Sequence, residues 1–254
     1  MRPAPRAALA LALFASMLRG QTAPLPDAPS PAQRLPSESD ADYKARIYDQ
    51  AERQLKLEER QRILTVVPNF NTVLSGRALP LSPSQKLDLA IHTAIDPFNF
   101  IGAVFLGGLD ELNDSDRGYG WGPAGYFKRA GANLADTVDG ALLAGAAYPI
   151  LLHQDPRFYR QGTGSRRSRI RHALLAAVIC RGDDGRSQFN ASNVLGNLTA
   201  GAISNAYYPA NERGVSLTFI NSSIVTLEGS AANVAVEFAP DLSAWWRRRR
   251  QKNP

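Results

Sequence analysis

Residues 82–112 read SPSQKLDLAIHTAIDPFNFIGAVFLGGLDEL, and they decide the fold class. Ser82 before Pro83 is a helix start: the hydroxyl caps free N–H groups, and proline at the first helical position sacrifices no hydrogen bond. Leu87, Ala90, Ile91, Ala94 and Ile95 recur at helical spacing and predict one apolar face. Asp96-Pro97 repeats the device and opens a second apolar helix, FNFIGAVFLGGL. Two capped helices in so short a stretch, with abundant alanine and only short β-branched runs, point to an all-α domain.

Working outward, NDSDRGYGWGP (113–123) is a Gly/Asp-rich loop. A helical segment follows over 124–152, bent near its end by Pro149. Helices are expected over 165–180 and 191–207. VSLTF (215–219) alternates like a strand while SIVTLEGSAANVAVEF reads as helix. Residues 215–238 are expected helical, with 215–222 open between helix and strand. Gly102/Gly107, Gly140/Gly145 and Gly196/Gly201 place small residues on three of these helices, favouring close packing of a helical core over membrane insertion. The fold expected is an irregular bundle of Gly/Ala-rich helices behind extended, Pro-rich N-terminal segments.

Upstream, residues 65–82 are expected as extended connection. A charged helix is expected over 40–64, with Ser39 and Asp42 as a capping pair and acid-to-base pairs such as Asp42–Arg46 and Glu58–Arg62. Tyr43, Ile47, Ala51 and Leu55 give it a narrow apolar stripe that packs on the body or on a partner protein. Residues 23–39 are Pro- and Ser-rich and read as a disordered linker. Residues 1–22 pair a basic start, MRPAPR, with the apolar run AALALALFASML, the layout of a secretory signal peptide cleaved near 20–23. The division expected is leader 1–22, linker 23–39, charged helix 40–64, helical domain 65–242 and a basic aromatic tail over 243–254.

The chain has 254 residues and a formal net charge of +6, with a single cysteine, Cys180. One cysteine excludes an internal disulfide and a multi-cysteine metal site, and its setting in HALLAAVIC reads as a small buried hydrophobe. No nucleophile elbow, phosphate loop or HExxH is present, and no cofactor is implied. Only three histidines occur.

The candidate chemistry gathers in LLHQDPRFYRQGTGSRRSR (151–169). His153 and Asp155 have the residue types of an acid/base or metal pair. The competing reading is that Asp155-Pro156 caps a short helix PRFYRQ and that His153 closes the preceding one. Arg157, Arg160, Arg166, Arg167 and Arg169 can clamp an anion, internal or bound. Asp88, His92 and Asp96, spaced i, i+4, i+8, are a weak metal candidate, which Asp136 and Asp139 would complete if the two helices touch. Asn193, Asn197 and Asn205 share one side of their helix and are expected to fix its register by hydrogen bonds. In the tail, Trp245 and Trp246 precede Arg247, Arg248, Arg249 and Arg250, a pattern suited to an anionic membrane surface. Nucleic acid is not expected as a partner of an exported chain.

HQDPRFYR (153–160), SNVLGN (192–197) and AYYP (206–209) together resemble a family of uncharacterised, exported, largely helical bacterial proteins carrying HQDPR[FY][FY]R, SNxxGN and AYYP. The resemblance spans roughly residues 60–242 and implies no catalytic residue. The function expected is an envelope-associated, exported protein that acts by interaction at a membrane surface or with an envelope component. The alternatives are a periplasmic hydrolase of phosphorylated or glycan substrates, using His153, Asp155, Arg157 and Arg160, and a lipid or small-ligand binding module.

Overall fold

The computed structural model describes residues 34–58, 62–63, 67–68, 71–74 and 78–252. The expected leader and the linker up to residue 33 lie outside them, while the charged helix expected over 40–64 is corrected at its far end, where Arg62–Ile63 are strand rather than helix. Helix α1 spans Asp40–Glu58, and Ser39 Oγ accepts from the Asp42 N–H at 3.2 Å as expected. Residues 34–38, expected as linker, instead turn back onto α1: Arg46 donates to both carboxylate oxygens of Glu38, at 2.7 and 2.8 Å. That hydrogen bonding holds the Glu38 carboxyl at about 2. Leu55 of α1 packs with Leu81 and Leu89 in a small apolar core.

Helices α2 (Pro83–Ala94) and α3 (Pro97–Leu112) start where the Ser-Pro and Asp-Pro steps place them, the first with a complete Ser82/Gln85 capping box. Their axes meet at 44°. The face that α2 buries differs from the one its apolar spacing predicts. Gln85, Lys86, Leu89, Ala90 and Ala94 are inside, while Leu87, Ile91 and Ile95 are outside. Lys86 fixes this rotation, its Nζ donating to the Pro149 carbonyl at 3.2 Å and to Asp183 at 2.7 Å.

Helix α4 (Pro123–Leu142) widens into a π turn at Leu143–Ala147 before the short α5 (Tyr148–Leu151). The π turn precedes Pro149, whose missing N–H cannot continue an α-helical ladder. Arg129 of α4, sealed from solvent, draws in the 113–122 loop: it donates to the carbonyls of Ser115 and Gly120 and pairs with Glu111. Helices α6 (Arg166–Leu175), α7 (Ala191–Ser204) and α8 (Val215–Lys252) complete the bundle. Residues 215–222 are helical, so the alternation of VSLTF is not a strand.

The fold is all-α, with a few short strands stitched between helices. β1 (Arg62–Ile63) pairs antiparallel with β2 (Val67–Pro68). β3 (Thr72–Val73) pairs in parallel with β5 (Phe158–Tyr159). β4 (Gln154–Asp155), β6 (Ile179–Gly182) and β7 (Ser187–Phe189) form an antiparallel ladder in the order β4-β6-β7. The expected 165–180 helix therefore ends early, and residues 179–182 are extended.

Helix α3 lies along α4, which also packs on α2 and α7; α7 and α6 both pack on α8. Small residues set the crossings. Gly107 sits on the backbone of Ala130, Gly196 on that of Ala144, and Gly201 against Ser222, leaving no room for a Cβ. Gly102 and Gly140 face open space, so not every glycine of the expected stripes serves a crossing.

Candidate functional site

Asp155 performs the local half of a helix cap. Its Oδ1 accepts from the Arg157 N–H at 3.0 Å, as Asp96 Oδ1 accepts from the Phe98 N–H at 2.8 Å. No helix follows, however. Phe158 and Tyr159 pair with Thr72 and Val73 instead, which corrects the expected PRFYRQ helix. Arg157 folds back so that Nε and Nη2 reach the two oxygens of Asp155 at 3.0 and 2.8 Å, and Tyr159 donates its hydroxyl to Oδ2 at 2.7 Å. Burial alone would raise the Asp155 carboxyl, but the Arg157 charge and these hydrogen bonds outweigh it and hold the carboxyl below its ordinary range. Tyr159 moves the other way, pushed up by burial and by the adjacent carboxylate. Arg181 lies over the Tyr159 ring at 4.1 Å.

His153 takes no part in this cluster. It adopts a left-handed backbone, φ 53°, and its side chain projects into solvent with Nδ1 3.9 Å from Asp183, the partner of Lys86. The expected His153/Asp155 pair therefore does not converge.

The remaining arginines divide. Arg169 donates from Nε to Glu237 at 2.7 Å and from Nη2 to Asp241 at 2.6 Å; Arg160 donates to the Glu237 carbonyl at 2.8 Å. Glu237 has no exposed surface and also accepts from the N–H groups of Gln161 and Gly162, both at 2.9 Å. Pro240 lies one turn on, and without an N–H it loosens the ladder where these arginines dock. The anion faced by Arg157, Arg160 and Arg169 is thus internal. Arg166 and Arg167 stay exposed.

Two contacts orient α6 against α8. Arg169, near the start of α6, meets residues 237 and 241, while Ala176 and Ala177, past its end, share a cavity wall with Val225 and Gly229. The two segments run antiparallel. Arg166 and Arg167 consequently lie toward the end of α8 that carries Trp245, Arg248 and Arg249, and the two basic stretches of the sequence become one basic end. Trp245, Arg248 and Arg249 are exposed, with the Arg249 guanidinium 5.1 Å from the Trp245 ring centre. The tail continues α8 as helix to Lys252. The side chains of Trp246, Arg247 and Arg250 lie outside the described residues.

The metal candidates separate in the same way. Asp88 and His92 are 3.8 Å apart on an exposed ridge, whereas Asp96 is buried as the α3 cap. Asp136 is bonded by the hydroxyls of Tyr207 and Tyr208 at 2.6 and 2.7 Å, and Tyr207 also reaches Asp139 at 3.1 Å. Burial raises the Asp136 carboxyl, and the tyrosine hydrogen bonds counter that only in part. Among the described residues no group of three or more His, Cys, Asp or Glu is placed to hold a metal ion. The amide row behaves as expected: Asn193 reaches the Ala177 carbonyl at 2.9 Å, Asn197 reaches Thr226 at 3.0 Å and Asn205 reaches Thr218 at 2.8 Å.

Above the Asp155 cluster, β5, α6, α7, α8 and the α2–α3 corner surround a cavity of about 500 Å3. Cys180 lines it, its thiol pushed up to about 12 chiefly by burial, which keeps it a protonated, unreactive wall. Lys86, Arg129, Arg181 and Glu237 were missed as buried polar anchors by the sequence reading. A signal was present for Glu237, the lone acid within the apolar run ANVAVEFAP. The chain matches no family model, no curated protein and no solved structure.

Proposed function

We propose that this is an exported, envelope-associated protein that acts by interaction while seated on a membrane surface. The observation that carries the reading is the inverted polarity of α3. Its inward residues are Ala103, Gly107 and Glu111, and its outward face bears Phe100, Ile101, Val104, Phe105, Leu109 and Leu112. A surface helix in water has the opposite arrangement. Helix α8 repeats it: Ser222 and Ser230 point inward, while Val215, Phe219, Ile220 and Ile224 point outward.

Small and hydrogen-bonded residues between helices, with large apolar ones outside, are what an apolar surrounding selects. Such a face gains roughly 1.5–3 kcal/mol for each large side chain fully withdrawn from water. Among the described residues no single helix is long and apolar enough to cross a membrane; the bent α2–α3 pair passes by length and composition only when its helices are taken together. Seating in the interfacial layer fits this geometry. The basic end supplies attraction to anionic lipid, at about 1 kcal/mol per basic residue near the headgroups. The leader-like start and the resemblance of HQDPRFYR, SNVLGN and AYYP support export.

Flotation of the mature chain with phospholipid vesicles tests the reading. The wild type is expected to float, and the Ile101→Glu/Phe105→Glu variant, altered only at exposed positions, is expected to stay in the dense fraction. Equal flotation of the two overturns it. The hydrolase alternative loses its basis, because His153 points to solvent while Asp155 and Arg157 are consumed by each other.

A further inference from the structure

We propose that the cavity above the Asp155 cluster binds a neutral, hydroxyl-rich small molecule of the saccharide class. Its volume of about 500 Å3 falls within the roughly 300–1,000 Å3 of small-molecule sites. Small residues hold it open: Ala176, Ala177 and Gly229 stand in its wall, and a Cβ added at Gly229 would meet no atom within 4 Å.

Charge is withheld from the lumen. Asp155, Arg157 and Arg181 line the floor but are only 3%, 4% and 2% exposed, and Asp155 is saturated by Arg157 and Tyr159. What a ligand meets is half-buried and neutral: Asn99, Asn193, Asn233 and His172, between the rings of Phe98 and Phe158.

Their hydrogen-bonding capacity is lopsided toward acceptance. Asn99 spends a donor on the Thr93 carbonyl at 2.5 Å, and Asn193 spends one on the Ala177 carbonyl at 2.9 Å while its Oδ1 receives Asn197 at 3.4 Å. The Asn99 oxygen and a second lone pair on the Asn193 oxygen stay open to a ligand. His172 Nε2 lies 2.6 Å from the Tyr159 carbonyl; a carbonyl only accepts, so Nε2 carries a hydrogen, and in the neutral ring Nδ1 is the acceptor. Asn233, whose side chain hydrogen-bonds to no described residue, offers both a donor and an acceptor. Acceptors in excess call for a ligand rich in O–H donors, and the flat rings suit the apolar faces of a sugar ring.

The test is isothermal titration of the mature chain with a panel of neutral mono- and disaccharides, set against glucuronate and glucosamine as charged counterparts. Saturable binding of at least one neutral sugar is expected, about tenfold or more weaker in Gly229→Phe, which fills the cavity, and in Asn233→Leu, which removes a hydrogen-bonding group. Gly229→Ala is expected to bind as the wild type does. Thermal melts of the variants are expected to match the wild type, since both positions are at least partly exposed. Absence of binding across the panel, tighter binding of a charged sugar, or undiminished binding by Gly229→Phe overturns the proposal.

Discussion

Asp155 and Arg157 flank Pro156 and close on each other through two side-chain hydrogen bonds of 3.0 and 2.8 Å, sealed from water. The turn that looked like half of an active site is therefore a structural clasp. Its arginine also reaches the Leu79 carbonyl at 2.7 Å, tying β4 and β5 to the chain that leads into α2. Removing one partner strands the other charge in the interior. Asp155→Ala is expected to destabilise the fold by about 3–5 kcal/mol, measured by chemical denaturation.

The same clasp sets an acid response. Asp155 has an ordinary value of 3.8 and a lower one when folded. Between the two, the unfolded chain holds more protons, so this contribution is fully present above about 3.8 and is lost as pH falls through the folded value. Asp155→Asn is expected to be less stable than wild type at pH 7 and to show a flatter loss of stability on acidification. Parallel pH curves for the two proteins would contradict this.

Glu237 and Asp241 both receive Arg169, yet they should differ greatly on substitution. Glu237 is sealed and accepts two backbone N–H groups besides the guanidinium, so Glu237→Ala is expected to cost about 3–5 kcal/mol. The carboxylate of Asp241 is half exposed, and Asp241→Ala is expected to cost about 0–1 kcal/mol. Hydrogen exchange along residues 230–245 should rise sharply in the first variant and little in the second.

Two glycines of one helix, α3, separate packing from conformational entropy. Gly107→Ala drives a methyl into the backbone of Ala130 and is expected to destabilise by about 1–3 kcal/mol. Gly102→Ala meets nothing and is expected to stabilise by about 0.5–1 kcal/mol. Melting temperatures moving in opposite directions would confirm the pair.

On the proposed membrane-surface reading, deleting residues 243–254 is expected to shift the protein toward the soluble fraction, more strongly at low than at raised salt, because basic side chains near headgroups act through a field that salt screens. Arg166→Glu/Arg167→Glu is expected to act in the same direction, because these arginines lie toward the same end of α8 as the tail. Unchanged fractionation of the deletion would remove the tail from the proposed membrane contact.

The all-α class, the starts of α2 and α3, and the amide register of α7 were legible in the sequence, because caps, proline and helical spacing act over a few residues. The same local grammar failed at residue 155. Asp96-Pro97 and Asp155-Pro156 both make an aspartate-to-backbone hydrogen bond two residues on, yet one opens a helix and the other a strand. What differs is a distant partner: Thr72 and Val73 offer a ladder to Phe158 and Tyr159, and no strand among the described residues pairs with FNF. Likewise, composition identified α2 and α3 as apolar, but only packing determined which face turned inward. There Lys86, held by Asp183 from far along the chain, outweighed Leu87 and Ile91. The sequence by itself determined where the long helices start and the all-α class they build. Tertiary structure alone decided which charges cancel, which apolar faces stay outside, and that two basic stretches, more than seventy residues apart, meet at one end, because those outcomes depend on contacts that no local pattern encodes.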